Sequence, residues 1–186
     1  MRIISGIFKG KKILDPLDIN TRPLKDLTKE SIFNILKHSN KFKVNLEGAT
    51  VLDLFSGVGS FGIECLSRNA EKVFFVENYI KVLPVLKKNL INLKSINNFE
   101  IIEKDIYNDD IFEYFNFKFD IIFLDPPYKD EHLEKILINI MNSKILKKNG
   151  ICILHRHKKE KEIFTSNINI IEEKKYGISK IFFINF

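Results

Sequence analysis

The fold is decided by an apolar segment that runs into a glycine-rich turn, VLDLFSGVGSFG at residues 51–62. Residues 50–55 have the composition of a buried strand, and residues 61–66 begin a helical pattern. Between them lie Gly57, Gly59 and Gly62, at the spacing G-x-G-x-x-G. Glycine lets a backbone turn tightly and approach a ligand closely. The segment therefore predicts a strand–turn–helix unit that binds a nucleotide-like ligand.

Strand and helix alternate on the carboxyl side of this turn. Strands are predicted at 72–76, 100–103, 119–124 and 150–154, and helices at 80–93 and 133–141. Segments 168–172 and 178–184 flank Tyr176-Gly177, which predicts a closing antiparallel hairpin. The alternation predicts an α/β fold with a Rossmann-like parallel sheet, covered on both faces. Ligands of such sheets bind beyond the carboxyl ends of the strands, so the motifs should share one edge.

Residues 1–45 do not follow the alternation and are interpreted as an N-terminal extension of a main domain, 46–186. Residues 2–5 and 11–14 predict two short strands around a turn at 6–10. After Thr21-Arg22-Pro23, a helix with one buried face is predicted from the spacing of five apolar residues: Leu24, Leu27, Ile32, Ile35 and Leu36.

Composition limits the classes of protein that fit. The chain has 186 residues, 45% of them hydrophobic and 29% charged, as in one ordinary globular unit. It has no apolar run of about 20 residues and no signal-peptide core, which predicts a cytoplasmic location and no membrane partner. Cys65 and Cys152 lie in apolar segments and are predicted to be buried free thiols. No Cys/His cluster has the spacing of a zinc site, so no metal is predicted.

The positive charge is concentrated near the amino end. The net charge is +6, and the first 50 residues carry 10 lysines and arginines against 5 acids, while the other 136 carry 20 against 19. This asymmetry predicts an arm that faces a polyanion, although a solvated surface would have the same composition.

Three carboxylates accompany the glycine-rich turn. Alone, the turn suits S-adenosylmethionine, a dinucleotide or a structural connection. Asp53 favours S-adenosylmethionine, because its charge would repel a pyrophosphate and attract an ammonium or sulfonium group; a loop-capping carboxylate is the alternative. Glu77, 20 residues after Gly57, is predicted to accept hydrogen bonds from two ribose hydroxyls. Asp105 is predicted to accept from an adenine amine or to be a plain turn residue.

The motif Asp125-Pro126-Pro127-Tyr128 follows the predicted strand 119–124. Two prolines cannot continue a central strand, so the chain must leave the sheet as a stiff loop. The Asp125 carboxylate and the Pro126 carbonyl are predicted to accept the two hydrogens of an exocyclic amine on a base. They would draw the nitrogen toward tetrahedral geometry and turn its lone pair to the methyl of S-adenosylmethionine. Tyr128 is predicted to stack on the base.

Several activities remain open on these motifs. A DNA or RNA adenine-N6 or cytosine-N4 methyltransferase would use the same tetrapeptide, and a protein-glutamine methyltransferase would use a related one beginning with Asn. A nicotinamide oxidoreductase would explain the glycine-rich turn alone. A non-enzymatic RNA-binding module would explain only the basic amino end.

The chain resembles the RsmD family, bacterial enzymes that methylate the N2 amine of one guanine in 16S ribosomal RNA. The resemblance lies in Arg2-Ile3-Ile4-Ser5-Gly6, Gly10-Lys11-Lys12-Ile13-Leu14, Thr21-Arg22-Pro23, Lys29-Glu30-Ser31-Ile32-Phe33-Asn34, the segment 53–59, Gly62-Ile63-Glu64, Leu66-Ser67-Arg68, Glu77 and the Asp125 motif. It implies seven strands, the last antiparallel, and a small N-terminal hairpin and helix. It implies cofactor contacts at Phe55, Gly57, Gly59, Glu77 and Asp105, with the target amine at Asp125 to Tyr128.

The chain departs from the family pattern at Ser5, where the family usually has glycine, and at His155-Arg156-His157, where a carboxylate is expected after the strand. These histidines and the run 158–161 are interpreted as a solvated loop.

The partner that the resemblance implies is small-subunit ribosomal RNA, within a 30S particle or an assembly intermediate. Its target guanine must be unstacked and flipped into the pocket. Six basic residues near the amino end are predicted to contact phosphates: Arg2, Lys9, Lys11, Lys12, Arg22 and Lys25.

Overall fold

The structure is a computed structural model that describes residues 1–18, 24–94, 96–107, 110–127, 130–161, 164–165 and 167–186. Its elements, in chain order, are α1 (Asp26–His38), β1 (Thr50–Leu54), α2 (Ser60–Ser67), β2 (Lys72–Val76), α3 (Leu83–Ile91), β3 (Phe99–Ile102), α4 (Asp110–Glu113), β4 (Phe119–Leu124), α5 (Leu133–Ser143), β5 (Leu146–His157), β6 (Asn169–Tyr176) and β7 (Ser179–Asn185).

The strands of the described residues form one seven-stranded sheet in the order β3-β2-β1-β4-β5-β7-β6. Strands β1 to β5 pair in parallel, and β7 runs antiparallel to both β5 and β6. The predicted α/β class, the seven strands and the antiparallel last strand are therefore confirmed. The order reverses at β1, which lies between β2 and β4, and such a switch point opens a crevice at the carboxyl ends of the strands.

The two faces of the sheet bury separate hydrophobic clusters. In β4, Ile121 and Phe123 belong to one cluster, and Ile122 and Leu124 belong to the other. This follows from the two-residue period of a strand, which sends successive side chains to opposite faces. Because both faces are covered, only the ends of the central strands remain for a site.

The N-terminal extension is fixed to α2 by a buried carboxylate. The fully buried Glu64 accepts the backbone N–H groups of Ile4 (2.8 Å) and Ser5 (2.9 Å) and pairs with Arg68 at 2.8 Å. Lys29 from α1 is equally buried, and its Nζ lies 3.8 Å from Glu64. Burial lowers the pKa of Lys29, while the charge of Glu64 opposes that shift. The extension and α2 therefore pack as one unit.

The extension forms the predicted hairpin, although its paired stretch is too short to make two regular strands. Its ends meet in an antiparallel bridge between Arg2 and Lys12. Three backbone hydrogen bonds also join them, from Ile3 N–H to the Lys11 carbonyl (2.9 Å), from Gly10 N–H to the Ile3 carbonyl (2.9 Å) and from Ile13 N–H to the Met1 carbonyl (3.1 Å). The positive φ of the turn falls at Gly6 (+84°), where a Cβ would lie 1.7 Å from the Ser67 carbonyl oxygen. Ser5 has no positive φ, so this turn does not require glycine at position 5.

Strand β5 is longer than predicted, and this corrects the interpretation of the histidines. It extends to His157, which pairs with Ser179 of β7. His155 is buried in this strand and His157 ends it, so the interpretation of these two histidines as part of a solvated loop is wrong. Arg156, between them, is also buried. These residues are polar, so the sequence pattern did not predict a strand here. The strand continues because β7 pairs with it along the edge of the sheet, and a local pattern does not reveal that pairing.

The other boundaries shift by a few residues, and α4 was not predicted. Cys65 and Cys152 are buried and free, as predicted. None of the helices in the described ranges is both long and apolar enough to cross a membrane.

Candidate active site

The glycine-rich turn leaves β1 in a left-handed conformation. Phe55 has φ +59°, Gly57 has φ +56° and Gly59 has φ +84°. A Cβ at Gly59 would also lie 2.6 Å from the Leu86 side chain. Positive φ is costly for a non-glycine residue and is typically kept at functional sites, so Phe55 is a strained position at the mouth of the turn.

Asp53 lies beneath the turn. It is 1% exposed, and its Oδ2 accepts the N–H of Gly62 (2.9 Å) in the first turn of α2. Burial raises its pKa well above the usual value, and the charges of Asp125 and Glu77 raise it further. A contact between Asp53 and S-adenosylmethionine stays a prediction. The structure places Asp53 as the loop-capping carboxyl.

Gly62 allows α2 to pack closely on the sheet. A Cβ here would lie 2.3 Å from the Phe75 ring in β2 and 2.9 Å from the Asp53 carboxylate. The third glycine of the motif therefore serves packing between helix and strand.

Glu77 follows the end of β2 and ties the turn to it. Its Oε2 accepts the N–H of Gly57 (2.8 Å), and its Oε1 accepts those of Asn78 (2.9 Å) and Tyr79 (2.8 Å). A carboxylate has about four acceptor positions, so these three bonds leave about one for a ribose hydroxyl rather than two. Glu77 also shapes the turn, a role that spacing in the sequence did not reveal.

The loop after β3 contributes a tyrosine that the sequence reasoning missed. The Tyr107 ring lies 5.7 Å from that of Phe55, and its hydroxyl donates to Asp130 at 2.9 Å. Burial and the bond to Asp130 raise the pKa of Tyr107, which keeps its hydroxyl a donor. The exposed Asp105 accepts the Tyr107 N–H at 3.0 Å, the bond of a turn residue. The contact between Asp105 and an adenine amine stays a prediction.

The proline loop adjoins the glycine-rich turn. The Asp125 N–H donates to the Leu54 carbonyl, 3.4 Å away, so β4 and β1 end side by side. The Pro127 carbonyl accepts from Arg156 Nη1 at 2.7 Å, and this contact holds the loop against β5. Pro126 is buried in the same loop. Tyr128 lies outside the described residues, so its stacking role stays a prediction.

His155 is the second residue that the sequence reasoning missed at this site. Its Nδ1 lies 2.7 Å from Asp125 Oδ1. Because β4 and β5 pair Leu124 with Leu154, the residues that follow them become neighbours. A strand prediction extended by one residue would have found this contact.

Five of the six predicted RNA-binding residues lie at the surface. Arg2, Lys9, Lys11, Lys12 and Lys25 are all exposed, and Arg22 lies outside the described residues. Lys11 also donates to the Leu93 carbonyl (3.3 Å) and lies over the Phe8 ring.

Solved structures of methyltransferases share this architecture over nearly the whole chain. "Putative methyltransferase yhhF from Escherichia coli" matches with a TM-score of 0.78 and 25% identity, covering 99% of this chain and 96% of that one. The putative methylase HI0767 from Haemophilus influenzae matches with a TM-score of 0.75 and 32% identity, covering 98% and 96%. The fold and the site thus define a Rossmann-like methyltransferase.

The sequence comparisons are more specific. The sequence model of a family described as "Conserved hypothetical protein 95" matches residues 1–185. "Ribosomal RNA small subunit methyltransferase D" from Haemophilus influenzae is 31% identical, over 96% of this chain and 90% of its own length. The protein of the same name from Buchnera aphidicola (subsp. Acyrthosiphon pisum) is 34% identical, over 92% and 86%. The chain belongs to this family, the RsmD family whose motifs it carries.

Proposed function

We propose that this protein transfers a methyl group from S-adenosylmethionine to the exocyclic N2 amine of a guanine in small-subunit 16S ribosomal RNA. The observation that carries the proposal is the meeting of two loops: Asp125 at the end of β4 is hydrogen-bonded to Leu54, where the glycine-rich turn begins. The names of the relatives support ribosomal RNA as the substrate and the small subunit as its source.

The residues of the turn fit S-adenosylmethionine. Gly57 and Gly59 have positive φ, which glycine adopts readily, and so they form the tight turn at the end of β1. Ser60 Oγ is buried at the start of α2 and has no hydrogen-bond partner within the described part of the chain. A buried unpaired hydroxyl costs about 1–3 kcal/mol, so a bound polar group here would be stabilising. Glu77 would hold a ribose hydroxyl and Asp105 the adenine amine, with Phe55 beside them.

S-adenosylmethionine supplies a methyl group on a sulfonium, which is already a good leaving group. The protein's part is to bind and orient the amine, whose lone pair is delocalised into the guanine ring. Asp125 and the Pro126 carbonyl would accept its two hydrogens, and the bond from Arg156 to Pro127 keeps this loop in place. Such orientation can contribute about 7–11 kcal/mol to lowering a barrier. Tyr128 would supply the stacking face for the base.

The exposed basic residues of the extension, including Lys9 and Lys12, would bind RNA phosphates. Phosphate contacts position a protein and do not specify a base, so the base must be recognised at Asp125. The extension, residues 1–45, is the proposed RNA-facing unit of the methyltransferase domain, 46–186. The proposed substrate is a 30S particle or an assembly intermediate, which places the reaction in the cytoplasm. No step requires a metal.

The test is methyl transfer from labelled S-adenosylmethionine to 30S particles, free 16S ribosomal RNA and duplex DNA, followed by nucleoside analysis. We expect N2-methylguanosine from small-subunit RNA, and about 10²–10³-fold slower formation of it with Asp125→Ala. The matched control is Glu131→Gln, which removes an exposed charge from the same loop without touching the proposed amine site. Label in adenine, in cytosine or in DNA alone would contradict the assignment.

A further inference from the structure

The side chain of His155 is enclosed where β4, β5 and β7 meet. It is 7% exposed, and the Asp125 side chain is 20% exposed. Its two ring nitrogens have different partners, since Nδ1 lies 2.7 Å from Asp125 Oδ1 and Nε2 lies 2.9 Å from Ser179 Oγ. The orientation of the ring is therefore fixed from two sides.

The hydrogen bonds continue to the N-terminal helix. Thr28 of α1 donates its hydroxyl to Ser179 Oγ at 3.3 Å. An ionised carboxylate only accepts, so Nδ1 of His155 must carry the hydrogen that Asp125 receives. In the neutral ring, Nε2 then accepts the Ser179 hydroxyl. The donors therefore run in one direction, from Thr28 through Ser179 and His155 to Asp125. In such a chain each hydrogen bond polarises the next and strengthens it.

We propose that His155 is a positioning residue that holds Asp125 by its Oδ1 and leaves Oδ2 to accept from the target amine. The proposal rests on the function proposed above, in which Asp125 binds that amine. A carboxylate on a loop can rotate about its terminal torsion. The hydrogen bond from His155 of β5 to Oδ1 removes this freedom. The rate depends on such positioning, because a misplacement of about 1 Å can lower it about 100-fold.

The charge of His155 should affect the same step. The charged groups around it are Asp125 from β4 and Arg156 beside it on β5, and Asp53 of β1 interacts with Asp125. Burial lowers the pKa of His155, but the charge of Asp125 and its hydrogen bond outweigh burial, and the pKa is raised overall. A protonated ring weakens Asp125 as an acceptor. The rate constant of transfer should therefore rise as pH increases through the titration of His155.

Two substitutions separate the two contacts of His155. In His155→Asn the amide nitrogen falls near the position of Nδ1 and keeps a donor for Asp125. In His155→Gln the amide reaches toward Ser179 and loses Asp125. We expect kcat to fall about 100-fold in the Gln variant but about tenfold or less in the Asn variant, with S-adenosylmethionine affinity unchanged in both. Both variants should lose the pH-dependent limb of kcat.

Cys152→Ala is the control, because Cys152 is buried in the same strand and contributes to the core rather than to Asp125. It should keep the pH-dependent limb and the wild-type kcat, and thermal unfolding of all variants checks that they fold. A merely structural role for His155 would not separate Asn from Gln in kcat.

Histidine titration by NMR tests the contact without any substrate. The signal of His155 is the one lost in His155→Asn, and Asp125→Asn should lower its pKa. If the pKa of His155 is the same in Asp125→Asn as in the wild type, the proposal is overturned. It is also overturned if both His155 variants keep the kcat and the pH profile of the wild type. If the wild type methylates no RNA amine, the positioning role fails with the proposed function. Transfer by the wild type with unaffected variants removes the positioning role alone.

Discussion

Glu77 provides a quantitative test of the cofactor site. Its carboxylate accepts three backbone N–H groups, one from Gly57 in the turn and two from Asn78 and Tyr79. In Glu77→Gln one oxygen can still accept from Asn78 and Tyr79, but the amide NH2 then faces the Gly57 N–H. Turning the amide over would lose two bonds to save one. The substitution therefore removes the hydrogen bond that links Gly57 of the turn to the end of β2, while the shape of the side chain stays the same.

The loss can be estimated from the Gly57 bond. A hydrogen bond to a charged group contributes about 1.5–3 kcal/mol, and here it becomes a contact between two donors. At about 1.4 kcal/mol per tenfold change, S-adenosylmethionine affinity should fall about 10- to 150-fold. A weaker ribose contact, which a neutral amide makes less strongly than a carboxylate, would add to this loss.

Isothermal titration calorimetry with S-adenosylmethionine measures this loss directly. Glu71→Gln is the matched control, because Glu71 is exposed and lies just before β2, at the end away from the turn. It should bind like the wild type. If Glu77→Gln binds S-adenosylmethionine with unchanged affinity, the turn does not depend on this carboxylate and Glu77 is not part of the site.

Three further predictions concern the reaction, the packing of the extension and the effect of pH. Asp125→Ala should lower methyl transfer by about 10²–10³-fold, the usual cost of removing a positioned hydrogen-bond partner, while calorimetry shows near-normal cofactor affinity; normal turnover would remove Asp125 from the reaction. Lys29→Ala should lower the free energy of unfolding in urea by about 3–5 kcal/mol, because it leaves the buried charge of Glu64 without one partner; a change below about 1 kcal/mol would contradict the buried pair. The raised pKa of His155 should stabilise the fold fully below its unfolded value of about 6.5, and this stability is lost as pH rises through the higher folded value. Urea unfolding between pH 5.5 and 8.5 should show that slope in the wild type but not in His155→Asn.

The predicted strands nearest the turn agree with the structure within a residue or two, because they are buried on both faces. In residues 119–124 every side chain except Asp120 is apolar, so both faces of the strand can be buried, and β4 has these bounds. Strand β5 was predicted too short, since its last residues are polar and their burial depends on β7. The extension forms the predicted hairpin, but its paired stretch is short, because the N–H groups of Ile4, Ser5 and Ile7 donate to Glu64 and Ser67.

At the candidate site, residue types and spacing predicted that Asp53, Glu77 and Asp125 are functional. They did not predict the hydrogen-bond partners of these residues. Asp53 was interpreted by its charge, and the structure adds its hydrogen bond to the Gly62 N–H. Tyr107 and His155 were missed because each is defined by a contact more than 20 residues away.

The sequence by itself determined the layered α/β architecture, the glycine-rich turn and the proline loop, because these depend on local backbone preferences and on the period of apolar residues. The tertiary structure alone decided that His155 holds Asp125, that Glu77 closes the turn and that Glu64 anchors the extension. Hydrogen bonds and pKa values depend on which groups burial brings together, and parallel strands join residues that are far apart in the chain.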